Sequence, residues 1–329
     1  MILILSNKWD LTVDFVVAEL RKRGHVFLRL NTEDLVSGTA TVRVPGFRIL
    51  ASKGSTIHDL TDAVSVIWNR RPGKPYDDIQ QQDRPSLSIQ KFVNDQWYSW
   101  LEALQLLPDV FWINHPRAND AMESKIRQLQ LARLHGFQIP DTVVTNNHKE
   151  LRALLAAYPN GVVAKALYSP LIEEPDQDYF IFTNRIEDVP EDADKELRQA
   201  PVIFQRALSP KTDYRVTVVG DRIFPVRITL DGDAATEIDW RTVKDSIAFT
   251  ACELPDSILE LCRSYVKKNS LVFGAIDLVE HKDQFFFLEI NPNGEWGWLQ
   301  KSNGIPIAEA LCDVMIQHDV VGAKQCGNC

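Results

Sequence analysis

The sequence predicts a mixed α/β chain that opens as a parallel sheet and closes in antiparallel hairpins. Three stretches carry that expectation. The run MILILS, an amphipathic helix over Asp10–Arg23 and the run Val26–Leu30 form a β-α-β start. Tyr214–Val219 and Arg222–Thr229 alternate on either side of Gly220-Asp221, the pattern of a hairpin. A further hairpin is written in LVFGAIDLVEHKDQFFFLEINPNGEWGWL, residues 271–299, where two apolar runs flank the charged turn Glu280-His281-Lys282-Asp283.

The 329 residues suffice for two or three domains, and 45% apolar with 25% charged residues is an ordinary globular balance. A formal net charge of −9 without a long basic run argues against a nucleic-acid binder. No apolar stretch reaches the ~20 residues that span a bilayer, and MILILSNKWD lacks the charged start and cleavage site of a signal peptide, so the expectation is a cytoplasmic chain without a membrane partner. The five cysteines fit a reducing compartment: Cys252, Cys262 and Cys312 sit in apolar contexts and read as buried thiols, and Cys326 and Cys329 form a terminal CGNC that reads as a mobile tail, with a redox or metal-binding pair as the lesser alternative.

The elements come in order along the chain. In the first helix Phe15, Val16 and Leu20 share a face and Gly24 is the stop. Residues 40–60 alternate as an antiparallel pair, Ala63–Trp68 is a buried strand ending in Asn69-Arg70-Arg71-Pro72, residues 86–107 are helical with Trp97, Trp100 and Leu104 on one face, and Val110–Asn114 closes a first domain near residue 115. That domain has no GxGxxG, which argues against a dinucleotide. Arg70-Arg71 reads either as an anion contact or as an ion-paired couple. A helix runs from Asn119 to about His135 with Gly136 as its stop, then come a strand at Thr142–Thr145 and a helix over 148–158 capped by Asn146 or Asn147. Gly161–Leu167 is a strand, Tyr168–Asp178 a loop, Tyr179–Thr183 a strand, Ile186–Gln199 a helix and Pro201–Leu208 a strand. Pro255–Lys268 and Ile305–His318 are helices around the last hairpin.

Chemistry gathers on charged residues inside apolar runs. Asp277, Glu289 and Asn291 are costly to bury unless neutralised, and such hard oxygen ligands suit Mg²⁺. Glu289 and Asn291 share a strand face, and a hairpin can bring Asp277 opposite them. Lys165 within Val162–Leu167 needs an anion, for which a polyphosphate serves. Lys125 alone reads as a solvated helix lysine. Arg215, Arg227 and Arg241 precede the acidic cluster and suit a carboxylate or an anionic transition state, although each singly could be an ion pair. Lys211 and Asp213 add charge beside Arg215, and an Asp213–arginine pair is the structural alternative.

Lys125, Lys165, Val202–Leu208, Asp213–Gly220, Asp277 and Leu288-Glu289-Ile290-Asn291-Pro292 occur in the order of the ATP-grasp ligases, and Ser124–Arg133 is similar to their glutamate-ligase branch. Trp68–Pro72, Asp239-Trp240-Arg241 and Phe287–Trp296 narrow the resemblance to the graspetide macrocyclases, microviridin-type enzymes that mature ribosomal peptides. The resemblance covers nearly the whole chain, and EINPNGEWGW is its most specific part. It implies a three-part α+β ATP-grasp fold: an N-terminal parallel-sheet domain (1–115), a central α+β subdomain (116–204) and a C-terminal antiparallel-sheet subdomain (205–329), with ATP between the last two. It implies that Lys125 and Lys165 hold phosphates, Gln205 and the backbone around Ala207 meet adenine, Asp277, Glu289 and Asn291 hold Mg²⁺, and Arg215, with Arg227 and Arg241, faces a substrate carboxylate.

The implied activity is phosphorylation of Asp or Glu side chains of a ribosomally made precursor peptide, leader plus core, followed by closure to an ester or amide. Asp213, Glu237 and Asp239 are open choices for a general base. The resemblance also suggests a homodimer and a leader dock at the 214–229 hairpin. One departure stands out: the stretch after the second lysine, Tyr168–Pro175, has no glycine, where many ATP-grasp enzymes have a glycine-rich phosphate cover. Two other readings share these residues. One is an untemplated amino-acid ligase of the glutathione-synthetase type, and the other is a nucleotide-binding regulator without turnover, against which intact Asp277, Glu289 and Asn291 weigh.

Overall fold

The computed structural model describes residues 1–168, 171–173, 178–190, 194–230, 239 and 247–319, without the side chains of residues 173, 178 and 194. The chain forms two compact units. The first gathers Met1–Pro116, Ser270–Phe273 and the chain from Glu295 onward; the second holds Arg117–Asn269 and Gly274–Gly294.

In the first unit the β-α-β start forms as expected. Ile2–Ser6 lies between Phe27–Asn31 and Val66–Asn69, Phe111–Ile113 extends the sheet, and all neighbours run parallel. The strands are continuous apolar runs because both faces are covered: Ile2, Leu3 and Ile4 are sealed from solvent. The helix Leu11–Lys22 begins where the Asp10 carboxylate accepts from the Thr12 amide, and it ends before Gly24 at φ +65°. Residues 40–60 form three antiparallel strands rather than two, Ala40–Arg43, Arg48–Lys53 and Thr56–Asp59, because Gly54 at φ +59° reverses the chain once more. The helix Leu87–Glu102 leans Trp97 and Trp100 on the core beside Leu104. Helices Gly297–Asn303 and Ile307–His318 complete the unit, the first of them unexpected from sequence.

The second unit contains two sheets. One has the order Asn184–Ile186, Val162–Lys165, Val202–Arg206, Thr142–Thr145, with antiparallel neighbours. Leu151 and Leu154 of the helix His148–Ala157 cover it, and the Asn147 side chain caps that helix at the Lys149 amide. The other has the order Ile247–Ala251, Arg222–Leu230, Thr212–Val219, Phe273–His281, Gln284–Asn291. Both predicted hairpins are in it. Lys282 and Asp283, at φ +52° and +59°, make the left-handed two-residue turn that matches strand twist.

Three further expectations need correction, and one strand was not anticipated. The helix expected from Asn119 to His135 is two helices, Pro116–Glu123 and Lys125–His135, because Ser124 is extended and its hydroxyl caps the second at the Arg127 amide. The loop expected over 168–178 contains the strand Leu171–Glu173, paired antiparallel with Asp178–Phe180. The helix expected over 186–199 is helical only at Asp194–Leu197 among the described residues, since Asn184–Ile186 is recruited as a sheet edge and Pro190 interrupts the chain after it. Ile247–Ala251, too short and mixed to be read from sequence, is a fifth strand. The glycine-free stretch after Lys165 falls partly on residues 169–170 and 174–177, outside the described residues, as do Cys326 and Cys329.

Candidate active site

The second unit holds a cavity of about 480 Å³. Lys165, Gln205 and Ala207 line it from the first sheet and the segment after it; Asp277 and Glu289 line it from the last hairpin. Phe180 and Phe182, with ring centroids 4.8 Å apart, add an aromatic wall. The lining thus joins apolar and aromatic side chains to charged ones of both signs, a combination that suits a charged small molecule.

The hairpin register sets the acidic end. Asp277 stands directly opposite Glu289, with Ala275 opposite Asn291 and a bulge between Asp277 and Leu278. Each carboxylate meets a cation. Arg215, only 8% exposed, donates from Nη1 to Asp277 Oδ1 at 2.7 Å. Lys125 Nζ lies 3.8 Å from Glu289 Oε2 and donates to the Ala166 carbonyl at 3.0 Å. Arg215 Nε is buried without a hydrogen-bond partner. Desolvating one donor of a guanidinium is expensive unless an anion completes it; Arg215 itself does not line the cavity and meets it through Asp277.

Lys165 and Gln205 form a second polar cluster in the lining. Lys165 Nζ donates to Gln205 Oε1 at 3.0 Å, and Gln205 Nε2 donates to Thr142 Oγ1 at 2.9 Å. The Ala207 amide donates to the Gly161 carbonyl at 3.1 Å, which holds the segment 206–208 against its neighbour strand.

Not every predicted residue lines the cavity: Lys125 and Arg215 meet it through Glu289 and Asp277. Asn291 is exposed, does not line it, and accepts the Asn293 amide at 3.0 Å through Oδ1. Arg227 is exposed and stands opposite Tyr214, whereas Arg215 stands opposite Val226, so the two arginines occupy opposite sheet faces. Arg241 lies outside the described residues, as do Glu237 and Trp240. Arg70 and Arg71 are ion-paired within the first unit, Arg70 with Asp10 and Glu295 and Arg71 with Glu295. Asp213 pairs with Lys211 rather than with an arginine, at 2.8 and 2.7 Å through its two oxygens. Asp239, 4% exposed, faces the cavity and accepts the Thr183 amide at 3.2 Å.

Sequence reasoning missed three contributors. Phe180 and Phe182 read there only as part of a strand. Tyr214 also lines the cavity and donates to Glu280 Oε2 at 2.6 Å. Burial, then the bond to Glu280, pushes its hydroxyl well above the usual tyrosine range, so it remains a neutral donor.

Among the described residues no three His, Cys, Asp or Glu side chains converge on one point. Two facing carboxylates are thus what the described residues supply on this hairpin, and a cation there needs further oxygens. That donor set fits Mg²⁺ carried on a nucleotide, which uses one or two carboxylates together with phosphate oxygens and water. It does not fit a structural zinc site.

No protein-family model and no curated protein matches the sequence. Solved structures do match it along nearly its whole length. A RiPP-associated ATP-grasp ligase from Chryseobacterium gregarium, in complex with ADP and a leader and core peptide, is 25% identical over 96% of both chains with a TM-score of 0.83. The chain has an ATP-grasp ligase fold. Macrocyclase MdnC from Microcystis aeruginosa, bound with precursor peptide MdnA, is 23% identical over 96% of this chain and 99% of its own, with a TM-score of 0.83. MdnB from the same organism reaches 24% and 0.77 over 96% and 98%. Lys165 and the acidic hairpin line one cavity, and Lys125 approaches it at Glu289.

Proposed function

We propose that this ATP-grasp chain is a peptide macrocyclase that uses ATP to join Asp or Glu side chains of a ribosomal precursor peptide to hydroxyl or amine side chains of the same peptide. The observation that carries the proposal is the Arg215–Asp277 pair: Arg215, buried and with Nε lacking a hydrogen-bond partner, donates through Nη1 to Asp277, which lines the cavity opposite Glu289. The nucleotide lies between residues 116–204 and the part of 205–329 that belongs to the second unit. Lys125 and Lys165 neutralise its phosphates, and Gln205 and the backbone at Ala207 receive the adenine. Asp277 and Glu289 hold Mg²⁺, with Asn291 as an outer oxygen. When bound, Mg²⁺ supplies charge neutralisation at the phosphate oxygens.

A carboxylate resists substitution because it is negative and its oxygen is a poor leaving group. In the proposed reaction a carboxylate oxygen of the peptide attacks the γ-phosphorus and ADP leaves. A Ser or Thr hydroxyl or a Lys amine then attacks the acyl carbon, inorganic phosphate departs with the former carboxylate oxygen, and the nucleophile gives up its proton. Arg215 orients the carboxylate and stabilises the developing oxyanion; Arg227 and Arg241 are retained as further peptide contacts. Asp213 is tied up by Lys211, so Asp239 is the better placed of the general-base choices. A homodimer in the cytoplasm and a leader dock near the 214–229 hairpin complete the proposal. Among the described residues no helix is long and apolar enough to cross a membrane.

The test is incubation with ATP, Mg²⁺ and the peptide encoded beside the gene. The expected result is a loss of about 18 Da for every ring closed, since acyl activation removes one water. Addition of free amino acids without such loss would instead identify an untemplated ligase, and binding of ATP without turnover would identify a regulator.

A further inference from the structure

The strand Gln284–Asn291 is the outer edge of its sheet, yet it carries Glu289 and Asn291. An edge strand presents unpaired amides and carbonyls and is free to shift unless something pairs with them. Here the pairing comes from outside the sheet. The Gln128 carboxamide, 3% exposed, accepts the Ile290 amide through Oε1 at 3.0 Å and donates to the Ile290 carbonyl through Nε2 at 2.9 Å. It behaves as one residue of a missing sixth strand, at the position between Glu289 and Asn291. Farther along, the Gln138 carbonyl accepts the Phe287 amide at 2.8 Å.

Gln128 is itself fixed. Nε2 also donates to the Met122 carbonyl at 2.5 Å, and the buried Tyr265 hydroxyl donates to the Gln128 carbonyl at 2.8 Å. Its helix, Lys125–His135, starts with the lysine whose Nζ lies 3.8 Å from Glu289. Below the strand, a side chain at Gly274 would meet Ile290 Cδ1 at 2.7 Å, so the Ile290 side chain is seated as closely as the backbone hydrogen bonds. One carboxamide thus fixes both the height of Glu289 on the edge strand and the helix that aims Lys125 at it.

We propose that Gln128 is a positioning residue for the metal and phosphate end of the site: it sets the register of Glu289 against Lys125 without touching either ligand. The proposal rests on the metal reading of Asp277 and Glu289 given above. A residue that orients a metal ligand typically changes metal affinity about 10–100-fold when removed.

The experiment measures binding rather than turnover. Calorimetric titration of ADP into the full chain at increasing Mn²⁺ gives the Mn²⁺ concentration that half-restores tight binding. Wild type, Gln128→Met, Gln128→Glu and Glu289→Gln are compared, with the thermal midpoint of each recorded. Gln128→Met keeps the shape and removes both hydrogen bonds; Gln128→Glu keeps the acceptor and serves as the folded alternative if the methionine variant does not fold. The expected result is a rise of about 10-fold or more in the Mn²⁺ requirement of the Gln128 variants, with metal-free ADP affinity unchanged. A lower thermal midpoint with an unchanged Mn²⁺ requirement, while Glu289→Gln still loses its Mn²⁺ dependence, would make Gln128 merely structural and overturn the proposal alone. Mn²⁺-independent ADP binding in wild type, or no effect of Glu289→Gln, would overturn the metal reading and this inference with it.

Discussion

Two buried arginines, Arg70 in the first unit and Arg215 in the second, show how similar chemistry serves different ends. Arg70 is 1% exposed and is ion-paired at 3.0 Å with Asp10 and at 3.0 Å with Glu295. Arg71 and the Thr12 hydroxyl converge on the same Glu295. Every charge in that cluster answers another, and Asp10 doubles as the cap of the first helix. Arg215 is nearly as buried, but among the described residues it meets one carboxylate, Asp277, and that carboxylate lines a cavity. The closed cluster fastens the segment beginning at Glu295 to the first sheet. Arg70 lies in a stretch that resembles the macrocyclases and Arg215 in one that resembles ATP-grasp ligases at large, so motif membership alone does not separate a fastening role from a chemical one; among the described residues, the number of carboxylates each guanidinium meets does.

The largest expected effect is on turnover. Glu289→Gln removes one of the two facing carboxylates and should lower peptide-dependent ADP release about 10²–10³-fold, the scale of losing one stabilising group from a preorganised site. Arg215→Ala should lower the same rate while leaving ADP affinity near that of wild type; an equal loss of ADP affinity would move Arg215 to the nucleotide and dissolve the contrast. Next comes stability. Arg70→Ala leaves Asp10 buried beside no cation and should cost about 3–5 kcal/mol in urea unfolding, with ADP affinity of the folded protein unchanged. A small stability change with altered ADP binding would show that the first-unit cluster is not a fastening.

A smaller effect is expected at Glu33, a buried acid of the first unit that has no arginine. Its Oε1 accepts the Lys8 amide at 3.1 Å, its Oε2 makes no hydrogen bond, and burial pushes its carboxyl above the usual range. The folded state therefore holds this proton to higher pH than the unfolded state does, and folding stability falls as pH rises through the interval. Glu33→Gln, neutral throughout, should raise the thermal midpoint at pH 7, and the gain should vanish below about pH 4, where the unfolded carboxyl is also protonated. A gain independent of pH would refute the electrostatic origin. The smallest effect is chemical. Burial pushes the Cys262 and Cys312 thiols up to about 12, so a neutral thiol reagent should modify them only after unfolding, as read by peptide mass mapping. Cys252 is half-buried rather than buried as its apolar context suggests, and it should react first of the three.

Much of this was legible in the residues. The β-α-β start, the two hairpins and the opposition of Asp277 to Glu289 arise from apolar periodicity and turn chemistry, which are local. What the sequence concealed is what depends on distant partners. Ser124 looks like any helix serine until the break it caps is seen to place Lys125 at a helix start. Ile186 fits an acidic helix by composition but is drawn into a sheet by Val162, its partner across the ladder. Arg227 and Arg215 look equivalent on two arms of a hairpin, and only the register, Arg215 opposite Val226, puts them on different faces. Gln128 carries a single signal, a polar side chain beside Leu129 and Ala132 on the buried side of its helix, and nothing local says that its partner is Ile290.

The central claim is that the ATP-grasp site activates a peptide carboxylate as an acyl phosphate. Oxygen tracing tests it most directly. A precursor peptide whose Asp and Glu side chains carry ¹⁸O is incubated with the enzyme, ATP and Mg²⁺, and the released phosphate is analysed by mass spectrometry. The account predicts one ¹⁸O transferred to inorganic phosphate for each ring closed, because the carboxylate oxygen that attacked the γ-phosphorus leaves with it. Rings closed with unlabelled phosphate would contradict the acyl phosphate.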